Sequence, residues 1–157
     1  QIKYFDPFDK KKYTPYVIET SIGLDRMFLA VFSQSLNIEK LDDGSERAVL
    51  KIPTILASNK CAILPLVKKD GLPEIATNLK DKLKLKYNVI YDEKDAIGKR
   101  YRRQDAIGTP YCITIDHQTN EDKTVTIRDR DSMKQERVSV ENIKSFLSKS
   151  FDISNWL

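Results

Sequence analysis

The chain has 157 residues, 40% of them hydrophobic and 32% charged, with a formal net charge of +4. That is enough for one ordinary domain, or a small domain with an appendage, built round an apolar core. A membrane span is excluded, because no apolar run approaches the roughly 18 residues it needs.

Taken in chain order, residues 1–15 are polar and aromatic, with Pro7 and Pro15, and read as a loop or short strand. Tyr16 to Ile22 reads as a strand. From Gly23 the apolar positions Leu24, Met27, Phe28, Val31 and Phe32 share one helical face, which predicts a helix to about Leu36. Asp42-Asp43-Gly44-Ser45 is a turn before the apolar run Ala48 to Ile52. Pro53 to Lys60 reads as a linker and marks a boundary between residues 1–57 and 58–157.

The second part alternates. Cys61 to Val67 is an expected strand, with Pro65 at a bulge or strand end because it cannot donate to a ladder. Pro73 to Lys86 is a helix with Ile75, Leu79 and Leu83 spaced by four. Asn88 to Tyr91 is a strand. Ala96 to Ala106 is a helix with Ile97 and Tyr101 inward and its arginines outward. Tyr111 to Ile115, Val125 to Arg128 and Arg137 to Val140 are strands, and a closing helix begins over Val140 to Leu147. This order predicts an α/β fold with a mixed sheet flanked by helices.

The charge is unevenly spread. Residues 1–59 carry eight basic and eight acidic side chains, and residues 60–157 carry nineteen and fifteen. The densest basic point is Gly98-Lys99-Arg100-Tyr101-Arg102-Arg103-Gln104, where an aromatic lies among four cations. Such a patch suits a nucleic-acid backbone with unstacked bases. Arg128-Asp129-Arg130-Asp131 alternates at strand spacing, so its like charges share a face. Either RNA contact or a structural ion-pair ladder accounts for it. The two cysteines, Cys61 and Cys112, sit in apolar runs and read as buried thiols, with no metal site expected. His117, the only histidine, lies in a turn-like run, so there is no material for a nucleophile–histidine system.

The stretch from Val17 to Met27 carries the most chemistry. An apolar β-branched run containing Glu19 reaches Gly23, and a helix then opens with Arg26 in its first turn. A fixed positive charge and helix-end N–H groups beside a carboxylate suit a ligand with both anionic and cationic parts. A carboxylate in an apolar strand needs a positive partner.

Gly23-Leu24-Asp25-Arg26 resembles the core of motif 3 of the class II aminoacyl-tRNA synthetases. With Glu19 and Ser21 just upstream, it is similar to the glycyl-tRNA synthetase family, of the dimeric, eukaryote-like type. Residues 96–111 and 124–133 resemble that family's anticodon-binding domain, and Tyr4-Phe5-Asp6-Pro7 resembles the run ahead of motif 3. The resemblance covers nearly the whole chain with its blocks in order, and it departs where Thr20 stands in place of a frequent Pro.

The resemblance implies a five-stranded anticodon-binding domain over 58–157, preceded by the motif 3 strand–helix end of the catalytic domain over 1–57. It implies that Arg26 contacts the γ-phosphate of ATP, taken up with Mg2+ in the full enzyme. An arginine fork suits phosphate oxygens. Glu19 and Ser21 would recognise the glycine ammonium, and Gly23 would let the backbone turn and approach ATP. Lys99, Arg100, Arg102, Arg103, Arg128 and Arg130 are the candidates for contact with tRNA(Gly). Motifs 1 and 2 are expected upstream of residue 1, so the chain reads as a C-terminal fragment, inactive alone, of a cytoplasmic homodimeric ligase that needs neither membrane nor DNA. The other readings are a synthetase of the same subclass for another amino acid, such as proline or threonine, and an orphan anticodon-binding module or accessory protein without synthetase activity.

Overall fold

The computed structural model describes residues 3–156, and Gln1, Ile2 and Leu157 lie outside them. The chain forms two compact units, residues 1–30 and 31–157.

In the first unit, β1 (Tyr4–Asp6) pairs antiparallel with β2 (Lys11–Tyr13), with Tyr4 opposite Tyr13. Asp6 closes the turn by accepting from the N–H groups of Phe8 and Asp9, and Lys10 takes a left-handed conformation there. The expected strand from Tyr16 to Ile22 does not form; residues 14–23 are irregular and exposed. A β-branched run becomes a strand only against a ladder partner, and this one has none among the described residues. Helix α1 (Leu24–Ser35) follows as expected. Its apolar stripe is not buried, with Leu24 79% and Phe28 64% exposed.

The second unit opens with a hairpin that the apolar pattern only half revealed: β3 (Leu36–Lys40) and β4 (Glu46–Leu50), joined by a turn in which Gly44 has φ +78°. A 3-10 turn over Thr54–Leu56 leads to β5 (Cys61–Pro65), with Pro65 at the strand end. Then come α2 (Leu72–Leu83), β6 (Val89–Tyr91), α3 (Ile97–Ala106) and β7 (Tyr111–Ile115). The chain continues with α4 (His117–Asp122), β8 (Thr124–Asp129), β9 (Gln135–Ser139) and α5 (Ile143–Ser150). His117 thus opens a short helix rather than a turn. Asp116 caps it, accepting from Thr119 N while Thr119 Oγ1 accepts from Asp116 N.

The five-stranded sheet has the order β6-β5-β7-β8-β9. β6, β5 and β7 are parallel, and β7, β8 and β9 are antiparallel, so the sheet is mixed. Alternation along β5 separates its faces. Cys61 and Ile63 join Ile113, Ile115 and Ile127 in the main core, covered by Leu72, Ala76, Leu79 and Leu83 of α2 and Ile143 and Leu147 of α5. Ala62, Leu64 and Cys112 face the other way, under Ile97 and Tyr101 of α3. Both cysteines are free and buried, and burial pushes each thiol up to about 12.

Candidate nucleic-acid interface

The motif at residues 19–26 lies at the start of α1. Glu19, Ser21, Gly23 and Arg26 are all exposed. Met27 N donates to Gly23 O at 3.0 Å, the first bond of the helix. Gly23 is not in the left-handed region, and a Cβ there would meet only the Arg26 side chain, at 3.7 Å. The expected backbone turn at Gly23 therefore does not depend on glycine's conformational freedom. Arg26 enters no ion pair among the described residues, and neither does Glu19, so the carboxylate read as lying in an apolar strand is solvated on an open segment.

In the larger unit the arginines of α3 do not all point outward. Arg100 is buried, 2% exposed. Its Nη1 donates to Pro65 O at 2.6 Å and Asp92 O at 3.3 Å, and its Nη2 to Leu66 O at 3.1 Å. It caps carbonyls at the ends of β5 and β6. It lies one position before Tyr101 and three after Ile97, on the edge of the face those residues present to the sheet, so the helical period carries it inward. Tyr101 Oη and Thr114 Oγ1 share a hydrogen bond of 2.7 Å, and the Arg128 guanidinium lies 4.9 Å from the Tyr101 ring centre. Arg103 is half exposed but pinned, its Nη2 2.7 Å from Asp92 and its Nη1 2.8 Å from Asp95. Those two carboxylates raise the Arg103 pKa. Burial works against the charge on Asp92, but the Lys94 N–H and Arg103 outweigh it, and its pKa is lowered. Lys99 is exposed and Arg102 partly so.

Arg128 and Arg130 do share a face, and it is an interior one; the ion-pair reading fits them. Arg128 is held by Asp105 through bonds of 2.8 and 3.0 Å. Burial lowers its pKa, but the bond to Asp105 prevails and the pKa is raised. Asp105, fully buried, also accepts from Arg47 Nη1 at 3.2 Å, and that same nitrogen donates to Arg130 O at 3.0 Å. Arg130 donates to Gly108 O and Ile52 O, each at 2.9 Å, and pairs with Asp131. Gly108 has φ +81°, and a Cβ there would press on Leu50 and Ile52 at 3.1 Å. The network ties the β3–β4 hairpin to α3 and β8. Sequence reasoning missed Arg47, which stands between the turn at residues 42–45 and the apolar run from Ala48 and carries no signal of its own.

Directly opposed residues in antiparallel strands share a face, so Thr114, Thr126 and Arg137 form a row. Arg137 holds Asp116 at 2.8 and 3.1 Å, and its Nε donates to Thr124 Oγ1 at 2.8 Å. The sequence pattern places Arg137 only in a short strand and does not announce this polar strip. β5 is followed by β6 on one side and β7 on the other through helices on opposite faces, so a topological switch point lies at the carboxyl ends of β5 and β7, where open α/β sheets bind ligands. Asp116 and Arg137, Arg103 with Asp92, and the exposed Lys68 and Lys99 rim this end. Rigid forks and mobile ammonium groups over a polar sheet edge can contact phosphates and base edges, and the described residues hold no cluster of three or more potential metal ligands.

Residues 60–150 match a family model described as an anticodon binding domain. The chain is 50% identical over 148 residues to a glycine–tRNA ligase of Clostridium acetobutylicum, covering 94% of this chain and 32% of that protein. It is 49% identical over 145 residues to the same ligase of Borreliella burgdorferi, covering 92% and 33%. The chain thus spans about a third of the length of these relatives. The RNA binding domain of threonyl-tRNA synthetase from Cryptosporidium parvum shares the fold, with a TM-score of 0.58 at 23% identity over 64% of this chain and 25% of that one.

Proposed function

Because the chain belongs to the anticodon-binding domain family, we propose that it is the C-terminal part of a glycine–tRNA ligase and that its larger unit binds the anticodon region of tRNA(Gly). The observation that carries this reading is the extent of the match. Identity of 50% runs over 94% of the chain, well upstream of residue 60 where the anticodon-binding family model begins. An orphan module would have no reason to keep the segment from Glu19 to Arg26.

In the parent ligase, Arg26 binds the triphosphate of ATP with Mg2+, Glu19 and Ser21 bind the glycine ammonium, and Gly23 lies against the nucleotide. The open setting of Glu19 and Arg26 supports this, since neither charge is used up inside the described chain. The enzyme is a cytoplasmic homodimer. By ancestry, residues 1–57 are the end of the catalytic domain and 58–157 the anticodon-binding domain, although the hairpin over residues 36–50 packs with the latter. Lys99, Arg102 and the half-exposed Arg103 are the cations of α3 left to meet RNA.

The test measures binding of a labelled anticodon stem-loop of tRNA(Gly) and of the same stem with an altered loop. The chain is expected to prefer the native loop, and Lys99→Gln with Arg102→Gln to weaken binding and flatten its salt dependence by about 0.7 per lost single-strand phosphate contact. Equal affinity for both loops would sink the anticodon reading.

A further inference from the structure

The opposite side of the sheet carries a second basic surface. The run Lys80-Asp81-Lys82-Leu83-Lys84-Leu85-Lys86 ends α2 and continues past it. Asp81 occupies two of these lysines, Lys84 at 2.9 Å and Lys80 at 3.6 Å. Among the described residues Lys86 Nζ meets only Ser148 Oγ, at 3.5 Å, and the Tyr87 ring, whose centre is 5.4 Å away. Lys82 has no hydrogen bond or ion pair among the described residues. Lys144, from the first turn of α5, has none either.

These three free or weakly held ammonium groups line one crevice of about 120 Å³ with Leu83, Leu85 and Tyr87. A neighbouring crevice of about 180 Å³ shares Lys82 and Lys144, with Glu141 at its wall. The Tyr87 hydroxyl is buried with no hydrogen-bond partner among the described residues. Lysines at the end of α2 have a local reason, since a helix C-terminus favours cations. Lys144 does not, because it sits at a helix N-terminus, where the dipole opposes it and where the first N–H groups add to the positive field. Positive groups from two elements therefore converge on crevices whose described lining holds one acid, Glu141, while Asp81 beside them is taken up by Lys80 and Lys84.

We propose that this α2–α5 crevice is a second RNA contact, in which Lys82, Lys86 and Lys144 bind the phosphate backbone of a helical stem. Ammonium point charges suit phosphates without reading bases. No arginine lines the two crevices, Leu85 is the exposed apolar side chain there, and their one aromatic, Tyr87, is partly buried and packed against Phe151 with ring centres 5.6 Å apart, a poor stacking platform for the single strands that require one. Double-stranded RNA is recognised mostly through phosphates and shape. The proposal rests on RNA being the partner of this chain but not on which bases α3 meets.

The test compares the full chain with its Lys82→Gln/Lys86→Gln/Lys144→Gln variant. Binding of a loop-free RNA duplex and of tRNA(Gly) is followed across a salt series. These side chains are exposed, so thermal melting should not change. The wild type is expected to bind the duplex with a steep salt dependence. The variant should lose about 2–3 from the log–log slope, at about 0.9 per duplex phosphate contact, and roughly tenfold or more in affinity at low salt. An unchanged slope and affinity would overturn the proposal, as would a wild type that binds the anticodon stem-loop but not the duplex. Loss of heparin binding with duplex binding intact would also overturn it and point to an acidic protein. A wild type that binds neither tRNA nor stem-loop would instead remove the RNA reading itself.

Discussion

The two units handle their apolar side chains in opposite ways. In residues 3–30 Phe8, Tyr16 and Ile18 are nearly or wholly exposed, while in the five-stranded sheet Cys61 through Leu64 have no exposed surface. The larger unit buries charges as well, and the smaller one leaves its charges in solvent. A residue's type therefore says little about its work until its surroundings are known. Arg26 and Arg128 are both arginines beside an aspartate in sequence, yet only Arg128 is consumed by the fold.

The strongest way to break this contrast is to remove Asp105. Asp105→Ala leaves Arg47 and Arg128 buried without their shared carboxylate, and should destabilise the larger unit by about 3–5 kcal/mol, read by urea unfolding. A loss under about 1 kcal/mol would mean that water reaches the network. Arg100→Ala should cost about 1.5–3 kcal/mol, because buried carbonyls at Pro65 and Leu66 lose a charged donor. A simple surface arginine would cost within about 0.5 kcal/mol.

Acid should act on the larger unit before the smaller. Hydrogen bonds from Lys51 to Glu39 and from Arg137 to Asp116 lower those pKa values, as the Lys94 N–H and Arg103 do for Asp92. A lowered folded pKa contributes stability that is present above the ordinary carboxylate values of 3.8 and 4.5 and is lost as pH falls through the folded values. Melting temperature should therefore drop below about pH 4. A flat profile there would show that these pairs are equally formed in the unfolded chain. The smallest expected effect is that of Arg26→Ala, within about 0.5 kcal/mol of wild-type stability. A larger change would mean that Arg26 belongs to the fold.

The sheet was legible in the sequence because its strands are short apolar runs bounded by turns, and α2 because Ile75, Leu79 and Leu83 repeat at helical spacing. Tyr16 to Ile22 reads as a strand and forms none, since β-branched composition is only half of a strand; the other half is a neighbour. The arginines were harder. Composition makes residues 98–104 a basic patch, but a period of 3.6 residues puts Arg100 against the ends of β5 and β6, and a guanidinium finding three carbonyls there stops being surface charge. The hairpin clamp through Arg47 joins positions 58 residues apart, which no local pattern announces.

Arg100 has a consequence for what this architecture can hold. In open α/β sheets the hollow beyond the strand ends is where a nucleotide or other small molecule settles. Here the protein's own side chain is already seated among the carbonyls at that spot, like a permanently bound guest. The carbonyls of Pro65, Leu66 and Asp92 are thereby already occupied, and the ends of β5 and β6 become a hard, polar shelf.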